Sequence, residues 1–248
     1  MIPTNIEHTS RHKIMALSNS LYLTPNIDID KEKQILYLTK DKSAWITIEW
    51  LPEEVREYSR RNYENMFSLH PTERGKVIMS GDEVNSPRWH RSYLKIPHRN
   101  ISGVRSFMYS GKDFYEDLTL PLQFNIYLNY LNKSQENGPF NQVIVNWYAD
   151  GNDFIAPHSD CEIGMKKGGE IAIISLNENK DDFREFRITA KTKIVGAETN
   201  NFYSEVKIAA LDGTIITMHG DTQEKFRHRI PRDIKIKSSR ISLTFRKF

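Results

Sequence analysis

The stretch Arg240–Arg246, RISLTFR, alternates polar with apolar side chains at every position. Because successive side chains of a β-strand project to opposite faces, this period of two predicts a strand. The apolar residues Ile241, Leu243 and Phe245 are expected to face the core. The two arginines and the hydroxyl residues between them line the other face. That face is either the solvated surface of a sheet or a cavity wall whose guanidinium groups recognise carboxylates.

Short strands separated by turns are predicted over the rest of the second half of the chain. From residue 143 onward, apolar or alternating runs are divided by turn signals such as Asp150-Gly151 and Asp212-Gly213. Upstream, one helix is predicted to start at Pro52 and a second to run from about Thr119 to Asn132. A short strand is predicted at Gln34–Leu38. Helices followed by seven or eight strands indicate a mainly β protein with flanking helices (α+β) and a jelly-roll core.

The composition limits the class of protein. A chain of 248 residues, 38% of them hydrophobic, can form one sizeable core. No apolar run approaches the length of a membrane span, and the N-terminus lacks the apolar region of a signal peptide. The single cysteine, Cys161, fits a reducing compartment. We expect a soluble intracellular monomer without a membrane partner, in either nucleus or cytoplasm; the net charge of +3 permits an anionic partner.

Three residues suggest a metal site. His158 and Asp160 lie two residues apart, so on a strand both side chains project to one face. Together with a histidine from elsewhere they would form the facial triad of non-haem iron(II) oxygenases. The pattern H-x-D recurs at His219–Asp221, but His228 then follows too closely for several strands to intervene. A lone histidine such as His228 is more often a hydrogen-bonded core residue, so the hypothesis depends on the combination.

Four segments, in order and in spacing, resemble the AlkB family of 2-oxoglutarate-dependent nucleic-acid demethylases. They are NWYADGNDFIAPHSD (146–160), IAIISL (171–176), HRIP (228–231) and RISLTFR (240–246). The resemblance implies a double-stranded β-helix that uses iron(II), 2-oxoglutarate and O2, with a flipped alkylated base as substrate. It also implies one dioxygenase domain at 41–248 after an N-terminal extension at 1–40. Within the domain we expect a nucleotide-recognition lid at about 86–115 and a catalytic jelly roll at about 141–248.

The resemblance assigns roles to individual residues. It implies that the iron ligands are His158, Asp160 and His228. Asn146 and Tyr148 match the N-x-Y pair that helps to hold 2-oxoglutarate. Of the two arginines on the last strand, we expect Arg240 to pair with the distal carboxylate of 2-oxoglutarate and Arg246 to lie nearer the metal. Ser242 replaces the asparagine that the family usually has, although a serine still donates one hydrogen bond.

Residues that contact the substrate are expected mainly before the jelly roll. Residues 86–105 combine basic and aromatic side chains without an acidic residue, which suits phosphate contact and base stacking; a solvated hairpin is the alternative. We assign Arg88, Trp89 and Arg91 to this surface, away from the iron.

Two further positions complete the predicted substrate site. The segment 107–111 resembles the family's lid, in which Tyr109, beside Ser110, would stack on the extruded base; packing of Tyr109 in the core is the alternative. Glu162 matches an acidic residue that contacts the base and complements the positive charge of a methylated adenine or cytosine. An exposed loop glutamate is the alternative there.

Three functions fit these patterns. The first is demethylation of N-alkylated bases in DNA or RNA, with release of formaldehyde, succinate and CO2. The second is the same oxygenase chemistry on a protein or on regulatory RNA methylation. The third is a jelly-roll binding module without catalysis, against which a complete triad beside two arginines argues.

Overall fold

The computed structural model describes residues 20–25, 33–77, 81–93, 119–133, 139–160, 165, 169–191 and 201–248, and the backbone of residues 6–7, 78–79, 94, 106–109 and 112–115. Its helices are α1 (Glu53–Phe67), α2 (Leu122–Asn132) and α3 (Thr222–Lys225). Its strands are β1 (Ile6–Glu7), β2 (Ser20–Leu23), β3 (Gln34–Tyr37), β4 (Ala44–Trp50), β5 (Lys76–Met79), β6 (Asp82–Asn85), β7 (Trp89–Leu94), β8 (Ser106–Tyr109), β9 (Lys112–Tyr115), β10 (Gln142–Tyr148), β11 (Ile155–His158), β12 (Ile171–Asn177), β13 (Arg184–Ala190), β14 (Glu205–Ala210), β15 (Thr214–Gly220), β16 (Phe226–Ile230) and β17 (Arg240–Arg246).

Two sheets form the body of the protein. The larger has the strand order β1-β3-β4-β15-β12-β17-β10-β7, and the smaller has the order β11-β16-β13-β14-β2. From β10 onward the chain passes repeatedly between them, since β10, β12, β15 and β17 lie in the larger sheet and β11, β13, β14 and β16 in the smaller. This alternation between two sheets is typical of a jelly roll, and it confirms the predicted mainly β fold with flanking helices.

Both faces of the larger sheet are buried, but against different partners. On one face, apolar residues of β10, β12 and β17 pack with α1 and α2; this cluster includes Trp147, Leu243 and Phe124. On the other face, a second cluster that includes Ile173 and Phe186 fills the space between the two sheets. The apolar residues of β17 lie on the helix side, as the alternation predicts, and its arginines face the space between the sheets.

Three details differ from the sequence-based expectation. Strand β2 pairs in parallel with β14, and β3 pairs with β4, so part of the segment expected to be an extension belongs to the two sheets. Helix α2 begins after Pro121. The buried face of the helix is formed by residues at helical spacing, Phe124, Tyr127, Leu128 and Leu131, so Leu122 lies on the opposite face and is 83% exposed. Strand β16, which carries His228, was not predicted.

No helix within the described ranges is both long enough and apolar enough to cross a membrane.

The turn at Gly151 fixes the loop that connects β16 to β17. The Gly151 N–H donates to the carbonyl of Ile236 at 3.0 Å, and the Asp233 N–H donates to the carbonyl of Gly151 at 2.8 Å. A Cβ atom at position 151 would lie only 1.7 Å from the carbonyl oxygen of Asp233. Glycine is therefore required here by the close approach of two backbone segments.

We expect Gly151→Ala to destabilise the protein, because one of these backbone segments has to move. Overpacking of this kind costs about 1–3 kcal/mol. The measurement is the urea midpoint of unfolding, and the control is Lys235→Ala, which changes an exposed side chain of the same loop. Equal midpoints for the two variants would contradict the close approach.

Candidate metal centre

A cavity lies between the two sheets. It brings together residues that are up to 158 positions apart in the sequence, from Arg88 to Arg246. Its polar wall consists of Arg88, Asn146, Tyr148, His158, Asp160, His228, Arg240, Ser242, Thr244 and Arg246. The apolar remainder comes from isoleucines of both sheets and from Phe186.

The three predicted metal ligands lie together in this cavity. Strand β11 pairs with β16, and His158 is opposite His228 in that pairing. The candidate ligand atoms of the two histidines and Asp160 all lie within 4.8 Å of one another. The Nε2 atoms of His158 and His228 lie 3.7 and 3.8 Å from the carboxylate oxygens of Asp160. These separations exceed a hydrogen bond, so the three side chains surround a point rather than bond to each other.

The histidines present the form that binds a metal. The Nδ1 atom of His158 lies 2.9 Å from the carbonyl of Ala156. A carbonyl only accepts, so Nδ1 carries the hydrogen and the Nε2 lone pair is left for a ligand bond. Burial lowers the pKa of His158 and lowers that of His228 to about 3, and the charge of Arg246 acts in the same direction on both rings. Both imidazoles are therefore neutral at pH 7.

Asp160 supplies the negative charge of the site. Burial alone would raise the pKa of Asp160, but the charge and the hydrogen bond of Arg246 act in the opposite direction, and the pKa lies below its ordinary value. Arg246 donates to Oδ1 of the carboxylate. The other oxygen, Oδ2, is buried and has no hydrogen-bonding partner among the residues that the structure describes. A buried carboxylate oxygen without a donor suits a cation.

A residue that sequence reasoning missed holds Asp160 in place. The Asp160 N–H donates to Oε1 of Gln223 at 2.8 Å, and Gln223 is buried in the short helix α3. Beside it, Ser159 donates to the carbonyl of Phe226 at 2.9 Å. These two bonds connect the turn after β11 to α3 and to the start of β16. No local pattern indicates them, because each joins residues more than 60 positions apart.

The predicted 2-oxoglutarate residues occupy neighbouring positions on β10 and β17. In the register of these strands, Asn146 is opposite Ser242 and Tyr148 is opposite Arg240. Arg240 is 2% exposed, donates to Oγ of Ser175 at 2.9 Å and lies 5.1 Å from the centre of the Tyr148 ring. Its Nε and Nη1 atoms are buried and lack a partner within the described part of the chain. Buried guanidinium donors without an acceptor suit an anionic group such as a carboxylate.

Arg88, Trp89 and Arg91, which were predicted to share one basic surface, lie in different surroundings around β7. Arg88 is 3% exposed and lines the cavity, so the expectation that it contacts phosphates away from the iron was wrong. The ring of Trp89 stacks on the ring of His70, with 4.1 Å between the ring centres. The guanidinium carbon of Arg74 lies 4.3 Å from the centre of the Trp89 ring, and Trp89 also packs against the helix-side core. Arg91 is exposed. The physical reason is the alternation of side chains along β7, which separates Arg88 from its neighbours.

Three predicted substrate residues are not placed by the structure. For Tyr109 only the backbone is described, within β8. Ser110 and Glu162 lie outside the described residues. Their roles stay predictions.

The sequence is similar to known oxygenases. Residues 43–246 match the family model of the 2OG-Fe(II) oxygenase superfamily. Alpha-ketoglutarate-dependent dioxygenase alkB homolog 3 of Mus musculus is 31% identical over 107 residues, which cover 43% of this chain and 36% of that protein. DNA oxidative demethylase ALKBH2 of Bos taurus is 29% identical over 108 residues, covering 44% of this chain and 37% of that protein. The chain thus spans well under half the length of either relative.

Among solved structures, an oxidoreductase of the 2OG-Fe(II) oxygenase family from Burkholderia pseudomallei aligns with a TM-score of 0.46 and 16% identity, over 80% of this chain and 84% of that one.

These similarities confirm the resemblance to AlkB-like proteins that the motifs indicated. The family's description names both predicted cofactors, iron(II) and 2-oxoglutarate. The cavity fits them, because the unpartnered Oδ2 of Asp160 and the unpartnered donors of Arg240 are the groups that a cation and a carboxylate require. Since the family model matches most of the chain, we conclude that the chain belongs to the 2OG-Fe(II) oxygenase superfamily.

Proposed function

We propose that this chain is a dioxygenase that demethylates N-alkylated bases, such as 1-methyladenine and 3-methylcytosine, in DNA or RNA. The observation that carries the proposal is a single cavity in which the three candidate iron ligands lie with a buried arginine suited to 2-oxoglutarate. The names of the two relatives, a dioxygenase and a DNA oxidative demethylase, support the substrate class.

The roles of the residues follow from their positions. His158, Asp160 and His228 would hold the metal, and three protein ligands leave coordination positions for a co-substrate and oxygen. When bound, iron(II) and 2-oxoglutarate activate oxygen for oxidation of the N-linked methyl group, which leaves as formaldehyde while 2-oxoglutarate becomes succinate and CO2. Arg240 would bind the distal carboxylate of 2-oxoglutarate.

The remaining wall orients the ligands and limits water. Arg246 donates to one oxygen of Asp160, and the other oxygen would be available to hold the metal ion. Asn146 and Ser242 provide neutral polar groups between the two arginines of β17. Ile155, Ile173 and Phe186 add apolar surface from both sheets, so the charged groups act in a low-dielectric site.

The deciding experiment is release of formaldehyde from methylated oligonucleotides. A panel of DNA and RNA strands that carry 1-methyladenine or 3-methylcytosine, incubated with iron(II) and 2-oxoglutarate, should yield formaldehyde in proportion to succinate. Succinate without formaldehyde from any oligonucleotide would favour a protein substrate or a regulatory RNA modification. Absence of both products would contradict the oxygenase activity itself.

The two H-x-D copies offer a matched test of the metal site. Asp160→Asn should remove a ligand and strongly reduce succinate formation. Loss of a residue that only supports a ligand costs about 10–100-fold in activity, and loss of the ligand itself should cost more. Asp221→Asn should keep near wild-type turnover, because that side chain is 43% exposed and pairs with Lys225. Titration with Mn(II) should show weaker metal binding in the Asp160 variant and unchanged binding in the Asp221 variant. Equal metal affinity for the two variants would mean that Asp160 is not a ligand.

Arg240→Met tests the co-substrate site. Loss of the charged partner of a buried carboxylate costs on the order of 2–5 kcal/mol, so the KM for 2-oxoglutarate should rise roughly 30-fold or more. Arg229→Met, on the smaller sheet, is the control, since Arg229 pairs with Glu205 outside the cavity. An unchanged KM in the Arg240 variant would remove this residue from the binding site.

Arg91 tests contact with nucleic acid. If its exposed guanidinium neutralises one phosphate, Arg91→Ala should flatten the plot of log affinity against log salt by about 0.9 on duplex DNA or about 0.7 on a single strand. Arg61→Ala is the control, an arginine of α1 with a side chain that is 74% exposed. Indistinguishable slopes for wild type and the Arg91 variant would show that this residue does not contact the phosphates.

A further inference from the structure

Arg88 has an unusual position for a basic residue. It immediately precedes β7, the edge strand of the larger sheet, yet it is 3% exposed and lines the cavity with His158 and Arg246. None of the roles assigned above uses it. Burial of a guanidinium in a cavity is costly unless the group is hydrogen-bonded there.

The hydrogen bond from Arg88 to Asn146 has a definite direction. Its Nε–H donates to Oδ1 of Asn146 at 2.7 Å, within the buried wall. A guanidinium has no acceptor, so this contact is satisfied only when the amide oxygen of Asn146 faces Arg88. Rotation of the carboxamide by 180° would place its NH2 group against another donor. Arg88 therefore selects one of the two orientations of the Asn146 amide.

The selected orientation matters for a co-substrate that carries two carboxylates. With its oxygen engaged by Arg88, Asn146 presents its NH2 group rather than its oxygen as the remaining polar group. An NH2 group donates to a carboxylate, whereas an amide oxygen would repel it. Across the sheet Asn146 is opposite Ser242, so this donor lies between Arg240 and Arg246 along the wall.

We propose that Arg88 is a positioning residue for 2-oxoglutarate, which acts by holding the Asn146 carboxamide as a hydrogen-bond donor toward the cavity. The inference rests on the proposed function, because it takes Asn146 as a residue that binds the co-substrate. This positioning role differs from a general structural role in one respect: Arg88 affects co-substrate binding only when Asn146 is present.

A double-mutant cycle tests this route. The readout is the Kd of 2-oxoglutarate for the Mn(II)-loaded protein, measured by calorimetry without turnover. Arg88→Met and Asn146→Ala should each weaken binding by roughly 5- to 10-fold, the equivalent of one hydrogen bond. In the Asn146→Ala background, Arg88→Met should add little. The affinity for Mn(II) should stay unchanged throughout, and Arg229→Met is again the control.

Asn146→Asp provides a second test that does not depend on how Arg88 variants fold. The aspartate keeps a partner for Arg88 but replaces the donor with an oxygen, so 2-oxoglutarate should bind at least as weakly as in Asn146→Ala. Wild-type affinity in Asn146→Asp would overturn the proposal.

The outcomes separate the inference from the function on which it rests. If Asn146→Ala binds 2-oxoglutarate like the wild type, the assignment of Asn146 in the proposed function fails. If Asn146→Ala weakens binding and Arg88→Met weakens it further by the same factor in both backgrounds, the proposed function stands and the positioning role of Arg88 is overturned.

Discussion

The alternation of side chains along β10 and β17 is the constraint on which the rest of the structure depends. The two strands pair over seven residues, from Gln142 opposite Arg246 to Tyr148 opposite Arg240. A slip of one residue would move every apolar side chain of a strand from the helix side to the cavity. Six such side chains are buried on the helix side of this pair, and each contributes about 1.5–3 kcal/mol. Their sum is on the order of 10 kcal/mol, which is comparable with the whole stability of a domain. The hydrophobic face thus determines where the polar face lies.

That polar face would be unfavourable in a protein selected only for stability. Arg240 is buried near a second buried arginine, Arg184, which donates to the carbonyls of Asp150 and Asp153 and also faces the Tyr148 ring. Burial lowers the pKa of both guanidinium groups. Apolar residues of similar size would avoid this desolvation cost. The backbone carbonyls bonded to Arg184 account for its charge, and an anionic co-substrate in the cavity would account for that of Arg240, which links the energetics of the fold to its chemistry.

The sequence predicted those parts of the site that follow from local periodicity. Asn146 with Tyr148, and the polar residues of β17, are each two residues apart on one strand, so alternation places them on one face. His158 and Asp160 have the same spacing, but β11 ends at His158 and Asp160 is held in the turn beyond it. The same rule, applied to residues 88–91, would have separated Arg88 from Trp89, but the basic and aromatic composition favoured one continuous surface instead. Contacts between distant residues were not predictable. Gln223 bonds to Asp160 across 63 positions and Arg88 to Asn146 across 58, and no local pattern encodes such pairs. For the same reason the parallel pairing of β2 with β14 was missed.

The place of β7 in the larger sheet has an evolutionary consequence. Strands β10 and β17 are interior and have neighbours on both sides, whereas β7 pairs, within the described residues, with β10 alone. Edge segments open at lower free energy than the centre of a sheet, and changes there disturb fewer neighbours. The polar wall on β10 and β17 is therefore locked by its surroundings, while β7 is less constrained beyond the bond from Arg88 to Asn146. In descendants of such a protein, selection can alter what the cavity accepts and leave its oxidative chemistry intact.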